Sequence, residues 1–167
     1  LPADRRIRRG EFFLAVNGSF GSAVNGISHG SGEGFRDATM IDIAPHLKTG
    51  RNTIALWVES NESSPRPEPA LAGVIEIRFE SGPPMILGTD VDWKTSAVET
   101  PEWIAPGADE SAWVKVDVLG RAGQAPWGEI SLPADRRLPA RLLRREFPVG
   151  RTPARAMLYI SGQGISE

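Results

Sequence analysis

The sequence predicts an all-β fold, a jelly-roll β-sandwich. Apolar residues come in short runs that alternate with polar ones, turn signals built from Gly, Asn and Pro separate those runs, and no stretch keeps a helical apolar period for more than about a turn. Alternation is what a strand with one buried face requires, because successive side chains point to opposite sides of the sheet. Short strands at regular spacing then point to a sandwich.

The first predicted strands are FFLAV (12–16) and FGSAV (20–24), joined by Val16-Asn17-Gly18, and VNG recurs at 24–26. Asn-Gly supplies the positive dihedrals of tight turns. A strand at 39–43 follows. In RNTIALWVES, Ile54, Leu56 and Val58 share a face and leave Thr53, Ala55 and Trp57 on the other. GVIEIRFE sets Ile75, Ile77 and Phe79 against Glu76, Arg78 and Glu80, the clearest alternation in the chain. Further strands are expected at 85–88, 142–149 and 156–161. In AWVKVDVLG, Val114, Val116 and Val118 are expected on a buried face opposite Lys115 and Asp117. KTGRN, SGPP and PVGRTP are turns. GISHGSGEGFRD (26–37) and SNESSPRPEPALAG (60–73) lack an apolar period and read as long loops, a common place for function.

A length of 167 residues suits one domain plus a remnant and is enough for a real core. The net charge of -2 gives no support to a nucleic-acid partner. Cysteine is absent, which excludes disulfides, zinc-thiolate sites and cysteine nucleophiles. No apolar run approaches the roughly 18 residues of a membrane span, so no membrane partner is expected, and the start has no signal-peptide core.

The hexamer LPADRR occurs twice, at 1–6 and 132–137. Its Leu-Pro-Ala-Asp disfavours helix and strand interiors, so a linker role is expected for it. Both copies precede a Glu-Phe and an apolar strand that ends near a glycine. This predicts a β-sandwich module at 1–131, then a linker and the truncated start of a second sandwich at 132–167. The first copy is compressed, so the first module is expected to have a short opening strand or none. Residues 142–149 would then cover the open sheet edge.

SAVNG (22–26), TMIDIAPHLKTGRNTIALWVES (39–60), ILGTDVDWKTS with DESAWVKVDVLGRAGQAPWG, and PARLLRREFPV with ARAMLYISGQGISE run in order along nearly the whole chain. Together they resemble the accessory β-sandwich domains of bacterial α-L-rhamnosidases and similar glycoside hydrolases. That resemblance implies a galactose-binding-like jelly roll, a carbohydrate setting, a secreted or periplasmic parent enzyme, and the catalytic and neighbouring domains of that enzyme as partners. His46 stands where the family usually has a small or Leu residue. No catalytic barrel is present, so no enzymatic activity is expected of this chain alone.

Residue chemistry agrees. Glycoside hydrolysis needs two carboxylates at fixed separation across one bond, and Asp90, Asp92, Asp109 and Glu110 show abundance without such placement. A serine triad lacks its glycine elbow, and GSGEG (30–34) lacks the Lys-Ser/Thr of a phosphate loop. An esterase or lyase remains the weakest alternative.

A sugar site wants an exposed aromatic platform beside polar side chains. Trp93, Trp113 and Trp127 match the family's recurring tryptophans and are expected in packing. Trp57 points away from its strand's apolar face and is the candidate platform. Asn17, His29, Glu33, Arg36 and Asp37, with Asn61 and Glu62 from the other long loop, are the candidate hydrogen-bonding residues, while His46 is expected to be structural. Related sandwiches sometimes hold calcium in such loops. No spacing names ligands here, so no cofactor is certain and Ca2+ stays an option. The function expected is a non-catalytic module that binds rhamnose-containing polysaccharide, plant or microbial. The alternative is a spacer domain without ligand.

Overall fold

The computed structural model describes residues 1–60 and 68–133. The chain divides into two compact units, Leu1–Ala134 and Asp135–Glu167, and the described residues belong to the first. The strands expected at 142–149 and 156–161, and the edge-covering role given to the former, lie outside the described residues.

Among the described residues nine strands are formed: β1 (Ile7–Val16), β2 (Ser19–Val24), β3 (Ile27–Glu33), β4 (Thr39–Asp42), β5 (Ile54–Glu59), β6 (Leu71–Phe79), β7 (Met85–Gly88), β8 (Lys94–Thr95) and β9 (Val114–Lys115). One sheet has the order β4-β1-β6-β7 and a second the order β3-β2-β5, with every pairing antiparallel. A 3-10 turn at Ala44–His46 follows β4. Phe12, Leu14 and Val16 of the first sheet share one apolar cluster with Phe20 and Val24 of the second, closed by Ile41, Ile43, Ile75, Ile77 and Phe79. The molecule is therefore a β-sandwich, in which the period-2 residues of both sheets meet in one core.

β1 departs from expectation. It runs ten residues and lies between β4 and β6, in register with β6 from Arg9 opposite Arg78 to Val16 opposite Leu71, with a register shift between Arg9 and Ile7, which faces Phe79. The opening strand is thus long and central, and β4 and β7 are the edges of its sheet. The long strand forms because β6 offers a ladder along nearly all of it. The first hexamer is fastened beside this strand. The Arg5 guanidinium lies 3.8 Å from the Phe79 ring centroid and donates to the Ser81 carbonyl at 2.9 Å. The Glu80 amide donates to the Arg6 carbonyl at 2.9 Å.

The stretch expected as a loop at 26–37 instead contains β3. Alternation is hidden there because two of its glycines fill places where an apolar side chain would not fit. A Cβ on Gly32 would lie 2.6 Å from Thr39 Oγ1 and 2.9 Å from Phe20 Cε1, and one on Gly30 would lie 2.9 Å from Ile41 Cγ2. Conversely, Val114 and Val118 are exposed where burial was expected. Among the described residues β9 pairs with β8 alone, and no broad sheet lies alongside to bury its face.

Replacing Gly32 by Ala should force Thr39 or Phe20 to shift and cost about 1–3 kcal/mol. Gly88→Ala, where nothing lies within 4 Å of the added atom, should cost much less. Urea unfolding of both variants checks this.

Candidate functional site

The outer face of the three-stranded sheet is built from small residues. Along β2, Phe20 and Val24 turn inward, so Ser19, Gly21 and Ala23 fall on the other side. Trp57 on β5 sits opposite Gly21 in the register, with Cε3 3.9 Å from where a Gly21 Cβ would be. A larger residue there would crowd the indole. Trp57 is 51% exposed, while Ile54, Leu56 and Val58 pack toward the core.

A shallow groove of about 340 Å³ runs over this floor. Trp57 lines it together with Ser28, His29 and Ser31 of β3, and Trp103 and Ile104 of a distant loop also border it. The Trp103 Nε1–H donates to Glu99 Oε1 at 3.3 Å, and its ring centroid lies 6.4 Å from that of Trp113. Ser19 pairs with Glu33 on one side and Glu59 on the other. Both glutamates are two residues from groove positions, Ser31 and Trp57, so their side chains share the outer face.

The β2–β3 corner positions this site. Asn25 and Gly26 have φ of 53° and 84°, the two positive values of a type I′ hairpin turn between paired Val24 and Ile27. The Asn25 Nδ2 donates to the His46 carbonyl at 2.8 Å and to Asn52 Oδ1 at 2.9 Å, and its Oδ1 accepts from the Thr53 amide at 3.0 Å. One side chain therefore ties together the hairpin, the 3-10 turn and the start of β5. Ala105 Cα lies 3.6 Å from where a Gly26 Cβ would be, so the Trp103 loop packs close to the same corner.

The other expected residues are distributed as follows. His29 lies at the groove edge; its Nε2 is 2.7 Å from the Asp42 carbonyl and its Nδ1 is 3.1 Å from His46 Nε2. Asn17 is fully buried and its Nδ2 donates to the Glu68 carbonyl at 2.6 Å, so it holds the β1–β2 turn and presents no face to solvent. Arg36 and Asp37 are exposed, but their backbone takes up the 127–131 segment. The Ser131 amide donates to the Arg36 carbonyl at 2.7 Å, and Trp127 is buried against Phe35 at 5.1 Å. Neither is among the residues lining the groove. Asn61 and Glu62 lie outside the described residues.

Sequence reasoning missed Glu59, Trp103 and the two serines of β3. Glu59 was signalled by the same two-residue step that singles out Trp57; Trp103 reaches the groove only through tertiary packing.

Of the other acids considered from the sequence, Asp90 and Asp109 stabilise turns, whereas Asp92 and Glu110 pair with Lys115 and Lys94. Asp109 has its carboxyl pKa lowered by the Ser111 backbone N–H and then by the Ser111 hydroxyl. The Asp92 amide donates to Asp90 Oδ1 at 3.0 Å, and Trp93 packs 6.3 Å from Phe12. Among the described residues, no three His, Cys, Asp or Glu side chains converge as a metal site.

This combination defines the class: an all-β sandwich of the kind that recurs in α-L-rhamnosidases and in a lectin. The chain is homologous over most of its length to an alpha-L-rhamnosidase of Streptomyces avermitilis, with 31% identity over 137 residues. The match covers 81% of this chain and 13% of that protein, so the chain spans only a small part of the curated relative. Among solved structures, the crystal structure of Streptomyces avermitilis alpha-L-rhamnosidase complexed with L-rhamnose superposes with a TM-score of 0.69 at 22% identity, covering 79% of this chain and 13% of that one. The Pleurotus ostreatus lectin in its apo form gives 0.67 at 25% identity, covering 80% and 38%. No family model matches the chain.

Removal of the Asn25 side chain should release three structural elements at once. Asn25→Gly, which keeps the positive φ, should lower stability by about 1–3 kcal/mol in urea unfolding, because it takes a hydrogen-bond partner from the partly buried His46 carbonyl and Thr53 amide. An Asn25→Gly variant as stable as wild type would remove this residue from the architecture of the site.

Proposed function

We propose that this chain is a non-catalytic carbohydrate-binding module of a larger α-L-rhamnosidase-like glycoside hydrolase, holding a rhamnose-containing polysaccharide for the catalytic domain. The observation that carries the reading is Trp57, half-exposed over a floor of Gly21 and Ala23 and beside Ser28 and Ser31, with Glu33 and Glu59 beyond the groove lining, two residues further along the same sheet face. A pyranose has an apolar C–H face that stacks on an indole and a hydroxyl edge that needs donors and acceptors. Ser28, Ser31, Glu33 and Glu59 supply both kinds, while both ring nitrogens of His29 are already engaged, by the Asp42 carbonyl and by His46. The homology to a rhamnosidase and the likeness to a lectin support the same chemistry. A polymeric substrate also implies a secreted or periplasmic parent enzyme.

The groove is open, and this argues against hydrolysis within it. A general acid must be kept protonated by burial, opposite a second carboxylate at fixed distance. Glu33 is exposed to solvent on the sheet face, which does not supply that environment.

Affinity electrophoresis against rhamnose-containing polysaccharides, run with calcium and with chelator, tests the proposal. Wild type should be retarded, and Trp57→Ala should weaken binding at least about tenfold, or about 1.4 kcal/mol. Its stability should change by less than about 1 kcal/mol, because the side chain is half in solvent. Retardation of neither protein under either condition would favour the ligand-free spacer. Turnover of an aryl rhamnoside by the chain alone would overturn the non-catalytic assignment.

A further inference from the structure

We infer that His29 and His46 form a two-nitrogen site for a first-row divalent transition ion, of which Zn2+, Ni2+ and Cu2+ are the fitting members. The chain has two histidines, and the fold brings them together from β3 and the 3-10 turn. Their ring centroids are 4.4 Å apart at 65°, and His29 Nδ1 lies 3.1 Å from His46 Nε2. Two nitrogens bound at about 2.0–2.1 Å to one ion are separated by about 2.9 Å at a right angle and about 3.3 Å at the tetrahedral angle. The observed separation falls between these limits.

Hydrogen bonding sets which lone pair is available. The Asp42 carbonyl only accepts, so the His29 nitrogen 2.7 Å away, Nε2, carries the proton. In the neutral ring this leaves the Nδ1 lone pair on the side of His46, and an ion bound by both nitrogens would sit off the line between them, so both rings would turn from their hydrogen-bonded orientation to meet it. A ligating histidine whose other N–H is held by a backbone carbonyl is the usual outer arrangement of a metal site. Without an ion, His46 donates its Nε2–H to His29 Nδ1. With an ion, His46 carries its single ring proton on Nδ1 instead, so binding needs no net loss of a proton from the neutral pair.

Both backbones are held in place before any ion arrives. The His29 carbonyl accepts from Ser22 Oγ, and the His46 carbonyl accepts from Asn25 Nδ2 at 2.8 Å while its amide donates to Ile43 O at 3.1 Å. Both side chains are partly exposed, so an ion can enter and keep water or another ligand in its remaining positions. Paired imidazoles select nitrogen-loving transition ions over calcium or magnesium, which prefer oxygen. Because His29 also lines the groove, the ion would sit at the groove's rim.

Zinc titration of the full chain, followed by the ring-nitrogen NMR resonances of its two histidines, tests the inference without relying on a variant. His29 Nδ1 and His46 Nε2 should shift together, with one midpoint and saturation at one equivalent. In His46→Gln the His29 midpoint should rise at least tenfold. Should that variant fail to fold, the wild-type titration still decides. Movement of one ring alone, different midpoints, coordination through His29 Nε2, or no shift at millimolar zinc would each overturn the site. These readings are independent of sugar binding, so either conclusion can fail without the other.

Discussion

Everything in this sandwich is referred to β1. Its inward residues Phe12, Leu14 and Val16 are fully buried or nearly so, and it is flanked by β4 and β6 so that both edges of its backbone are paired. A central strand with no free edge cannot slip by one residue without turning its whole apolar set toward the wrong side. The second sheet then has one place to settle, with Phe20 and Val24 on the same cluster. That choice also decides what β2 leaves on its outer face. Once Phe20 and Val24 are committed inward, Ser19, Gly21 and Ala23 must face outward, and the floor of the groove is laid by the demands of the core.

The platform depends on the same commitment. β5 buries Leu56 and Val58 against the core, and pairing with β2 places Trp57 over Gly21. An indole on a strand face would ordinarily be covered by its cross-strand neighbours. Here those neighbours are too small to cover it, so half of Trp57 remains in solvent. Exposure of this size, on a rigid strand, leaves a stacking surface that loses little freedom when a ligand arrives.

How much of this the sequence disclosed depended on where the controlling interaction lay. The Trp57 orientation follows from alternation within six residues, and β6 follows the same way. β3 was hidden because Gly30 and Gly32 occupy inward positions that Ile41, Thr39 and Phe20 leave too tight for a side chain, and a missing side chain contributes nothing to an apolar period. Val114 and Val118 show the reverse failure: alternation is present, but it cannot tell whether a broad sheet lies alongside to bury it. Asn17 was read from its turn sequence as a ligand contact, yet the turn folds inward and its amide is spent on Glu68. Trp103 and the approach of His46 to His29 depend on residues far apart in sequence, which a local pattern does not record.

Asn25 connects these long-range placements. Its positive φ is required by the two-residue turn, and only a short polar side chain adopts that conformation readily while offering both an amide donor and an acceptor. The donor side fixes the carbonyl of His46 and the acceptor side fixes the start of β5. The strand carrying Trp57 and the turn carrying His46 are thus tied to the hairpin from which His29 extends. A turn residue chosen for its backbone therefore sets the spacing of three side chains with chemical potential. It also explains why polar and aromatic groups gather at this end of the second sheet, over a floor that the core has already emptied of bulk.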